Sequence, residues 1–490
     1  MRNRIILAVT TALAGCNFAP QYKQPPSPIY NAYQTPVPAI QAASQGGVTA
    51  PETSWQRYFG DEQLKAYLTA ALANNRDLEI ATARIAQARA QYRIQDAQKL
   101  PTVGVQGSAT RSRIPLDATS IGDVLDPGED SGDPRSITFN QYTAQVGVSS
   151  FELDFWGKIR NMSESARRQY LATVEARRAF ELSLIGQVAS SYFTIRSGED
   201  GIALAIRTLA ARKEGMRIAK DRMDAGVTSS SDYDQSELLV TQAETELADL
   251  RRTTEQQRNQ LLELIGGPMT ATLPANLPIT DMKQVAVLDA GLPSTLLLVR
   301  PDIRQAENML RAADADIGAA RGAMFPTISL TAAFGYASSE LGSLFAPGTQ
   351  RWSYGGNVAL PIFDGGRSKA GLDQTKAART EAVASYQKAV QGAFHEVSDA
   401  LVSRQRYYEQ IQAQARAVDA QRRLAETAHL RYDNGVSIYL EVLDAERNLF
   451  AAEQQLLKLR AASLQANVAL YVSLGGGTEV TKSPSVADSK

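Results

Sequence analysis

The sequence predicts a mostly α-helical chain that also carries strands for a membrane β-barrel, arranged as two repeated halves. Each half reads as a helix, a strand hairpin and a long helical hairpin. Three observations carry this reading. None of the 20 prolines falls in 157–267 or 362–483, so both stretches are free to run as long helices. The segments just before them alternate with period two, as strands do. The halves also match each other residue by residue at fixed offsets.

The N-terminal segment comes first in chain order. Arg2 and Arg4 precede a mostly apolar run, 5–12, which is too short to span a bilayer and has the layout of a secretory signal peptide. Leu13-Ala14-Gly15-Cys16 closes it in the manner of a bacterial lipobox, so Cys16 is expected to become the acylated first residue. An ordinary signal peptide with an incidental cysteine is the alternative. Asn17 in the next position resembles the sorting signal for the outer membrane. Cys16 is the chain's single cysteine, which rules out an intrachain disulfide or a cysteine-built metal cluster. From 17 to 50 the chain is rich in Pro, Gln, Ala and Ser, and reads as an extended tether.

The repeat begins where this leader ends. Asp77-Leu78 and Asp302-Ile303 each open an Ala-rich helix, and each is followed by a proline stop, Pro101 and Pro326, at an offset of 225. Further on the offset is 209. Arg222-Met223-Asp224-Ala225-Gly226-Val227 matches Arg431-Tyr432-Asp433-Asn434-Gly435-Val436, and Gly266-Gly267 matches Gly475-Gly476. The fall from 225 to 209 means 16 extra residues in the first copy, between Pro101 and Trp156, which places a loop there.

Around that loop Val103, Val105, Gly107 and Ala109 alternate, as do Tyr142, Ala144, Val146 and Val148. In the second copy Ile328, Leu330, Ala332, Phe334 and Tyr336 alternate, and so do Tyr354, Gly356, Val358, Leu360 and Ile362. The long helices are broken chiefly at Gly226-Val227 and Gly435-Val436, as at the tip of an antiparallel helical hairpin. A continuous helix from 158 to 222 would reach roughly 100 Å, which suits a tube or fibre.

The mature chain has no run of about 18 uninterrupted apolar residues, so any membrane crossing must use strands in a closed barrel. Four strands cannot close one, because small barrels have about eight. The chain must therefore pool strands with copies of itself, two chains giving eight and three giving twelve.

At this point the blocks resemble a known family. Asn75-Arg76-Asp77-Leu78, Phe155-Trp156-Gly157-Lys158 and Arg300-Pro301-Asp302-Ile303 come in order, followed by Phe325-Pro326-Thr327-Ile328, Leu360-Pro361-Ile362-Phe363 and Leu474-Gly475-Gly476-Gly477. Together with the lipobox they are similar to the TolC-type outer-membrane efflux factors, in the OprM-like (NodT-type) lipoprotein branch. The resemblance implies a homotrimer whose strands make one 12-stranded barrel atop a long helical tunnel. It implies a periplasmic adaptor protein and an inner-membrane resistance-nodulation-division pump as partners, with outer-membrane lipid around the barrel. No cofactor is expected beyond the diacylglycerol and N-acyl chains on Cys16. The expected divisions are a signal peptide, 1–15, a lipid-anchored leader with a short helix, 16–75, and repeat one, 76–267. An equatorial connection, 268–299, then leads to repeat two, 300–477, and a flexible tail, 478–490.

Resemblance places Arg222, Gly226, Val227, Arg431, Gly435 and Val436 at adaptor-docking tips. The plainer reading is helix-turn punctuation, with each Arg favourable at a helix C-terminus. Glu441 and Asp444, spaced i, i+3, share one helix face, and in a trimer would form a ring of six carboxylates that selects by charge. Asp232 and Tyr432 match family positions that hold an aperture closed, while Ser437 stands where an arginine can supply the linking salt bridge. The alternative for all four is a solvated helix surface.

Other function classes find little support. The 51 basic and 52 acidic residues nearly balance, which gives nucleic acid no basic surface. The two histidines, His395 and His429, lie in long helical segments without a cysteine partner, so a zinc site or His-based triad has little to build on. The chain is expected to be a passive exit duct for drugs or other small toxic compounds, and not an enzyme. A duct for metal ions or secreted polypeptide remains open. A periplasmic coiled-coil adaptor fits less well, since it would carry one helical hairpin within compact β domains.

Overall fold

A computed structural model describes residues 17–26, 28–29, 48–49, 53–115, 136–269, 273–282, 288–289 and 299–477. Cys16, the signal segment, residues 116–135 of the first strand loop and the 478–490 tail lie outside the described residues. In chain order the elements are β1 (Val48–Thr49), α1 (Trp55–Tyr58), α2 (Glu62–Asn74), α3 (Arg76–Ala97), β2 (Val103–Pro115) and β3 (Ser136–Glu152). There follow α4 (Lys158–Asp224), α5 (Ser230–Leu264), β4 (Leu288–Asp289), α6 (Pro301–Gly322), β5 (Thr327–Ser338), β6 (Gln350–Ala359), α7 (Arg367–Asp433) and α8 (Tyr439–Ser473).

Helix lengths come in pairs. α3 and α6 have 22 residues each, α4 and α7 have 67, and α5 and α8 have 35. Proline-free sequence sustains the long helices, and i, i+3 or i, i+4 ion pairs such as Arg168–Glu164 and Arg217–Asp221 lie along them. No described helix is long and apolar enough to cross a membrane.

The chain folds as two compact units. The first comprises 1–23, 88–170 and 309–382, and holds a four-stranded antiparallel sheet in the order β2-β3-β5-β6. Register aligns Val105, Val146, Phe334 and Trp352 in one row across all four strands. Each of these apolar side chains is exposed, Val105 to 85% and Trp352 to 67%. Two rows on the opposite face are polar across β2 and β3, with Gln145 donating to Gln106 at 3.3 Å in one and Ser108 and Thr143 bonded at 2.6 Å in the next. One apolar and one polar face is the pattern of a strand set between lipid and a water-filled lumen. Among the described residues β2 and β6 each have one strand neighbour, so both outer edges of the sheet are open.

The strand readings hold with one correction. Leu360 and Ile362 lie outside β6, which ends at Ala359. Pro361 has no N–H to continue a ladder. The leader also departs from expectation. Residues 17–26 contain neither helix nor strand, as the prolines require, yet they are not a loose tether. Phe18 stacks on Phe325 in the first unit.

The second unit comprises 24–87, 171–308 and 383–490. Its core buries Leu64, Leu68 and Ala71 of α2 against Ile185, Val188 and Tyr192 of α4, Val390 and Val397 of α7, and Leu470 and Tyr471 of α8. Several polar groups inside are bonded. Asp61 caps α2 at Leu64 N (2.8 Å) and accepts from the Tyr192 hydroxyl (3.0 Å), while Tyr471 donates to Thr53 O (3.0 Å). The repeat is visible in these contacts too. Asn75 donates to Leu264 O at 2.9 Å, and Arg300 donates to Ser473 O at 2.8 Å. Each bond joins the N-terminus of a 22-residue helix to the last turn of a 35-residue helix.

The sheet gives a direct test. A Cβ at Gly335 would lie 2.2 Å from Ala144 O, whereas one at Gly104 would meet nothing within 4 Å. Gly335→Val should destabilise the β3–β5 pairing by about 1–3 kcal/mol, and Gly104→Val should be close to neutral. Urea unfolding followed by loss of the heat-modifiable barrel band on gels measures both.

Candidate functional site

The two helical-hairpin tips share one backbone design, set by their glycines. Gly226 (φ 71°) and Gly435 (φ 70°) are left-handed, the conformation in which an L side chain is strained. Val227 N donates to Arg222 O and Gly226 N to Met223 O, both at 2.9 Å. The second tip repeats the pair, from Val436 N to Arg431 O at 2.8 Å and Gly435 N to Tyr432 O at 2.9 Å. These crossed bonds satisfy the last carbonyls of α4 and α7. Both tips then present apolar side chains to solvent, with Val227, Val436 and Ile438 between 64% and 70% exposed.

The side chains, unlike the backbone, do not repeat. Arg431 Nε lies 3.6 Å from Glu441 Oε1, across its own tip. At the first tip the same spacing joins Arg222 to Asp232, but Arg222 leaves this partner. Its guanidinium stands 4.8 Å from the centroid of the Tyr432 ring, a cation–π contact between the two hairpins. Tyr432 also packs on Tyr439, with ring centroids 4.9 Å apart. A residue read as part of a docking tip and a residue read as part of an aperture are therefore in contact.

Tyr439 was not among the sequence-derived candidates, and it organises this region. It is 9% exposed and belongs to a small apolar cluster with Ala219, Leu239, Ala428, Val442 and Leu443. Its hydroxyl lies where a Cβ on Gly215 would come within 2.5 Å. Gly215 was the available signal, because a glycine inside a long helix costs about 1 kcal/mol and so points to a close approach. Burial raises the pKa of both phenols. The Asp232 charge adds to the rise at each, Arg222 opposes it at Tyr432, and a hydrogen bond from Ser236 opposes it at Tyr439.

Among the carboxylates, Glu441 faces Arg431 and Asp444 pairs with Arg447 at 2.8 Å. Both pairs are about half exposed, so each contributes at most about 1 kcal/mol. Asp232, partly buried in the first turn of α5, has no cationic partner among the described residues. It occupies the place of Glu441 at the 209 offset, a correspondence legible in the sequence but not drawn from it. Thr228 Oγ1 and Ser437 Oγ, equivalent hydroxyls just past the two tips, are shielded without a hydrogen-bond partner among the described residues.

Behind the tips, Arg212 is 6% exposed, donates to Leu239 O at 2.9 Å and lies 5.4 Å from the Phe450 ring centroid. Burial lowers its pKa. His429 meets Glu446 at 2.8 Å and His395 meets Asp399 at 3.2 Å, both as exposed residues. No group of three or more His, Cys, Asp or Glu residues suited to a metal occurs among the described residues.

Comparison with known proteins supplies context for this geometry. A family model described as "Outer membrane efflux protein" matches residues 67–267 and 292–476. The solvent efflux pump outer membrane protein SrpC of Pseudomonas putida is 40% identical over 471 residues, covering 96% of this chain and 97% of that protein. The cation efflux system protein CusC of Escherichia coli is 37% identical over 474 residues, at 96% and 97% coverage. Among solved structures, the open state of the Neisseria gonorrhoeae MtrE outer membrane channel superposes with a TM-score of 0.83 at 35% identity. That match covers 94% of this chain and 98% of that one.

The tip design is testable without reference to function. A Cβ at Gly226 or Gly435 would meet nothing within 4 Å, so the cost of Gly→Ala is conformational alone, about 1–2 kcal/mol. Hydrogen exchange at Val227 and Val436 should accelerate in the respective variants, by about tenfold or more, while amides in the second-unit core stay unchanged.

Proposed function

The chain belongs to the outer membrane efflux protein family, and from that premise we propose that it is the trimeric exit duct of a tripartite efflux pump. The observation that carries this reading is the four-stranded sheet with an apolar face, a polar face and two open edges. Three copies joined edge to edge supply twelve strands, close every ladder and enclose a polar lumen. The duct is passive. It contributes a path and a gate, and the energy comes from an inner-membrane resistance-nodulation-division pump. A periplasmic adaptor docks on the tips, where exposed Val227 and Val436 offer apolar contacts beside Arg431. Acylation at Cys16 adds a lipid anchor to the barrel.

The proposed cargo is drug-like or solvent-like small organic compounds. The relatives at 39–40% identity carry the names of solvent, toluene and antibiotic efflux proteins. Metal-ion export is the second reading, favoured by the cation efflux relative at 37% identity. Deletion of the gene should raise accumulation of organic substrates and lower the concentrations that inhibit growth. Sensitivity confined to metal salts would move the cargo to the second reading, and unchanged accumulation of every class would end the efflux assignment.

Asp232, Tyr432, Glu441 and Asp444 form the proposed gate, with unequal weights. Asp232 is the carboxylate without a cation of its own, and Tyr432 is held by Arg222. Asp232→Ala should raise conductance in planar bilayers and weaken cation preference more than Asp444→Ala does. Arg222→Ala and Tyr432→Ala should each raise conductance, and the double variant should do no more than either single. Additive effects would sink the Arg222–Tyr432 latch.

A further inference from the structure

The sheet carries charge where its apolar face ends. Register places Val105, Gly107, Ala109, Arg111 and Arg113 of β2 on one face, opposite Val146, Ala144, Tyr142, Asn140 and Thr138 of β3. This is the apolar face, and both arginines stand on it as exposed residues. A shift of one residue would turn them to the polar face, where Thr110 and Ser112 lie. Arg113 Nε donates to Ser136 Oγ at 2.7 Å, which holds the side chain without neutralising it. The cross-strand neighbours Asn140 and Thr138 are neutral, and neither arginine has a carboxylate partner among the described residues. The loop from β5 to β6 adds an apolar shelf to the same face. Tyr336 lies in the row Gly107–Ala144–Tyr336–Gln350, and Phe345 packs edge-on against it with ring centroids 5.2 Å apart. The Ser338 and Ser343 hydroxyls are bonded at 2.7 Å and Thr349 Oγ1 donates to Leu344 O at 2.7 Å, which folds the loop and leaves Phe345 71% exposed. Arginines and shelf both lie at the hairpin end of the sheet, away from the strand-to-helix junctions, and belong to the first unit.

We propose that Arg111 and Arg113, with the Tyr336–Phe345 shelf, form a binding site for a phosphorylated glycolipid of the outer leaflet. The arginines hold its phosphate and the shelf meets its acyl chains. The site deepens the barrel reading and rests on it, because the apolar face meets lipid only when the barrel closes. A charged side chain on that face is costly at the bilayer midplane and nearly free at the interface, so the two arginines mark the level of the headgroups. Residues two apart on a strand are separated by about 7 Å, so both guanidinium groups can converge on one phosphate. Their planar forks match phosphate oxygens two at a time, which a point charge does not. Asn140 and Thr138, beside them on the same face, supply neutral hydrogen-bonding groups for sugar hydroxyls. Charge, neutral polar groups and aromatic surface thus follow the order of phosphate, sugar and acyl chain in such a lipid.

The test uses the full-chain protein purified in detergent, titrated with doubly phosphorylated lipid A and read by native mass spectrometry. The parent should hold lipid A more tightly than phosphatidylglycerol. Arg111→Gln and Arg113→Gln should each weaken lipid A binding about fivefold, and the double variant about 25-fold, with the heat-modifiable barrel band unchanged. The single variants keep the test alive if the double variant fails to assemble. Phe345→Ser should cost about threefold, from lost apolar contact. A double variant that binds lipid A as its parent does would overturn the site. Equal affinity of the parent for phosphatidylglycerol would reduce the site to a generic anion surface and overturn the glycolipid assignment. A parent with a normal barrel band that retains no lipid A, its arginines answered by carboxylates of 116–135 instead, would overturn it as well. A parent without that band would remove the barrel reading on which the site rests.

Discussion

Backbone hydrogen bonding at the sheet edges is the constraint on which the rest of this molecule depends. Among the described residues β2 and β6 each have a single strand neighbour, so each presents a row of N–H and C=O groups without a ladder partner. In water such an edge invites aggregation, and in hydrocarbon each unmet group costs several kcal/mol. Charge and proline are confined to one end of β2, at Arg111, Arg113 and Pro115, and β6 carries the single charge Arg351. The chain is therefore built to be completed by copies of itself, and the apolar row Val105–Val146–Phe334–Trp352 becomes a lipid-facing band only when that happens.

Duplication is the economical route to such a building block. One strand hairpin and one helical hairpin, used twice, supply four strands and two long helix pairs of matched length. The matched bonds from Asn75 to Leu264 O and from Arg300 to Ser473 O show that each copy fastens to itself in the same way. The substitution of Arg for Asn adds an ion pair to Glu396 at 2.8 Å, on a different helix, that the first copy cannot make. Equal backbones with unequal side chains recur at the tips. There the two crossed-bond turns share the glycine φ, 71° and 70°, while Arg222 and Arg431 go to different partners.

That inequality has mechanical meaning. A tip whose arginine pairs with its own hairpin is self-contained, and a tip whose arginine reaches Tyr432 couples two hairpins. Breaking the coupling loosens the two tips without unfolding either hairpin, because the cluster around Tyr439 still joins them and the glycine turns remain. Asp232, without a cationic partner among the described residues, helps to raise the pKa values of the Tyr432 and Tyr439 phenols.

Much of the architecture was legible in the sequence because it depends on local rules. Proline exclusion marked both long helices, glycine with its flanking helical arms marked both tips, and period-two alternation marked the strands and which residues share a face. Where local rules compete, the reading slipped. Alternation carried β6 on to Ile362, but Pro361 ended the ladder at Ala359. Proline-rich composition suggested a tether, yet composition is blind to partners more than a hundred residues away, and Asn17, Phe18 and Tyr22 each found one. The amino-acid sequence by itself thus determined the repeated plan, the element types and the need for further copies, because helix period, strand period and backbone satisfaction act over a few residues. Only the tertiary structure decided that Arg222 belongs to Tyr432, that Tyr439 fills the space over Gly215, and that Phe18 stacks on Phe325. Those outcomes depend on which distant side chains reach the same place, and no local spacing encodes that.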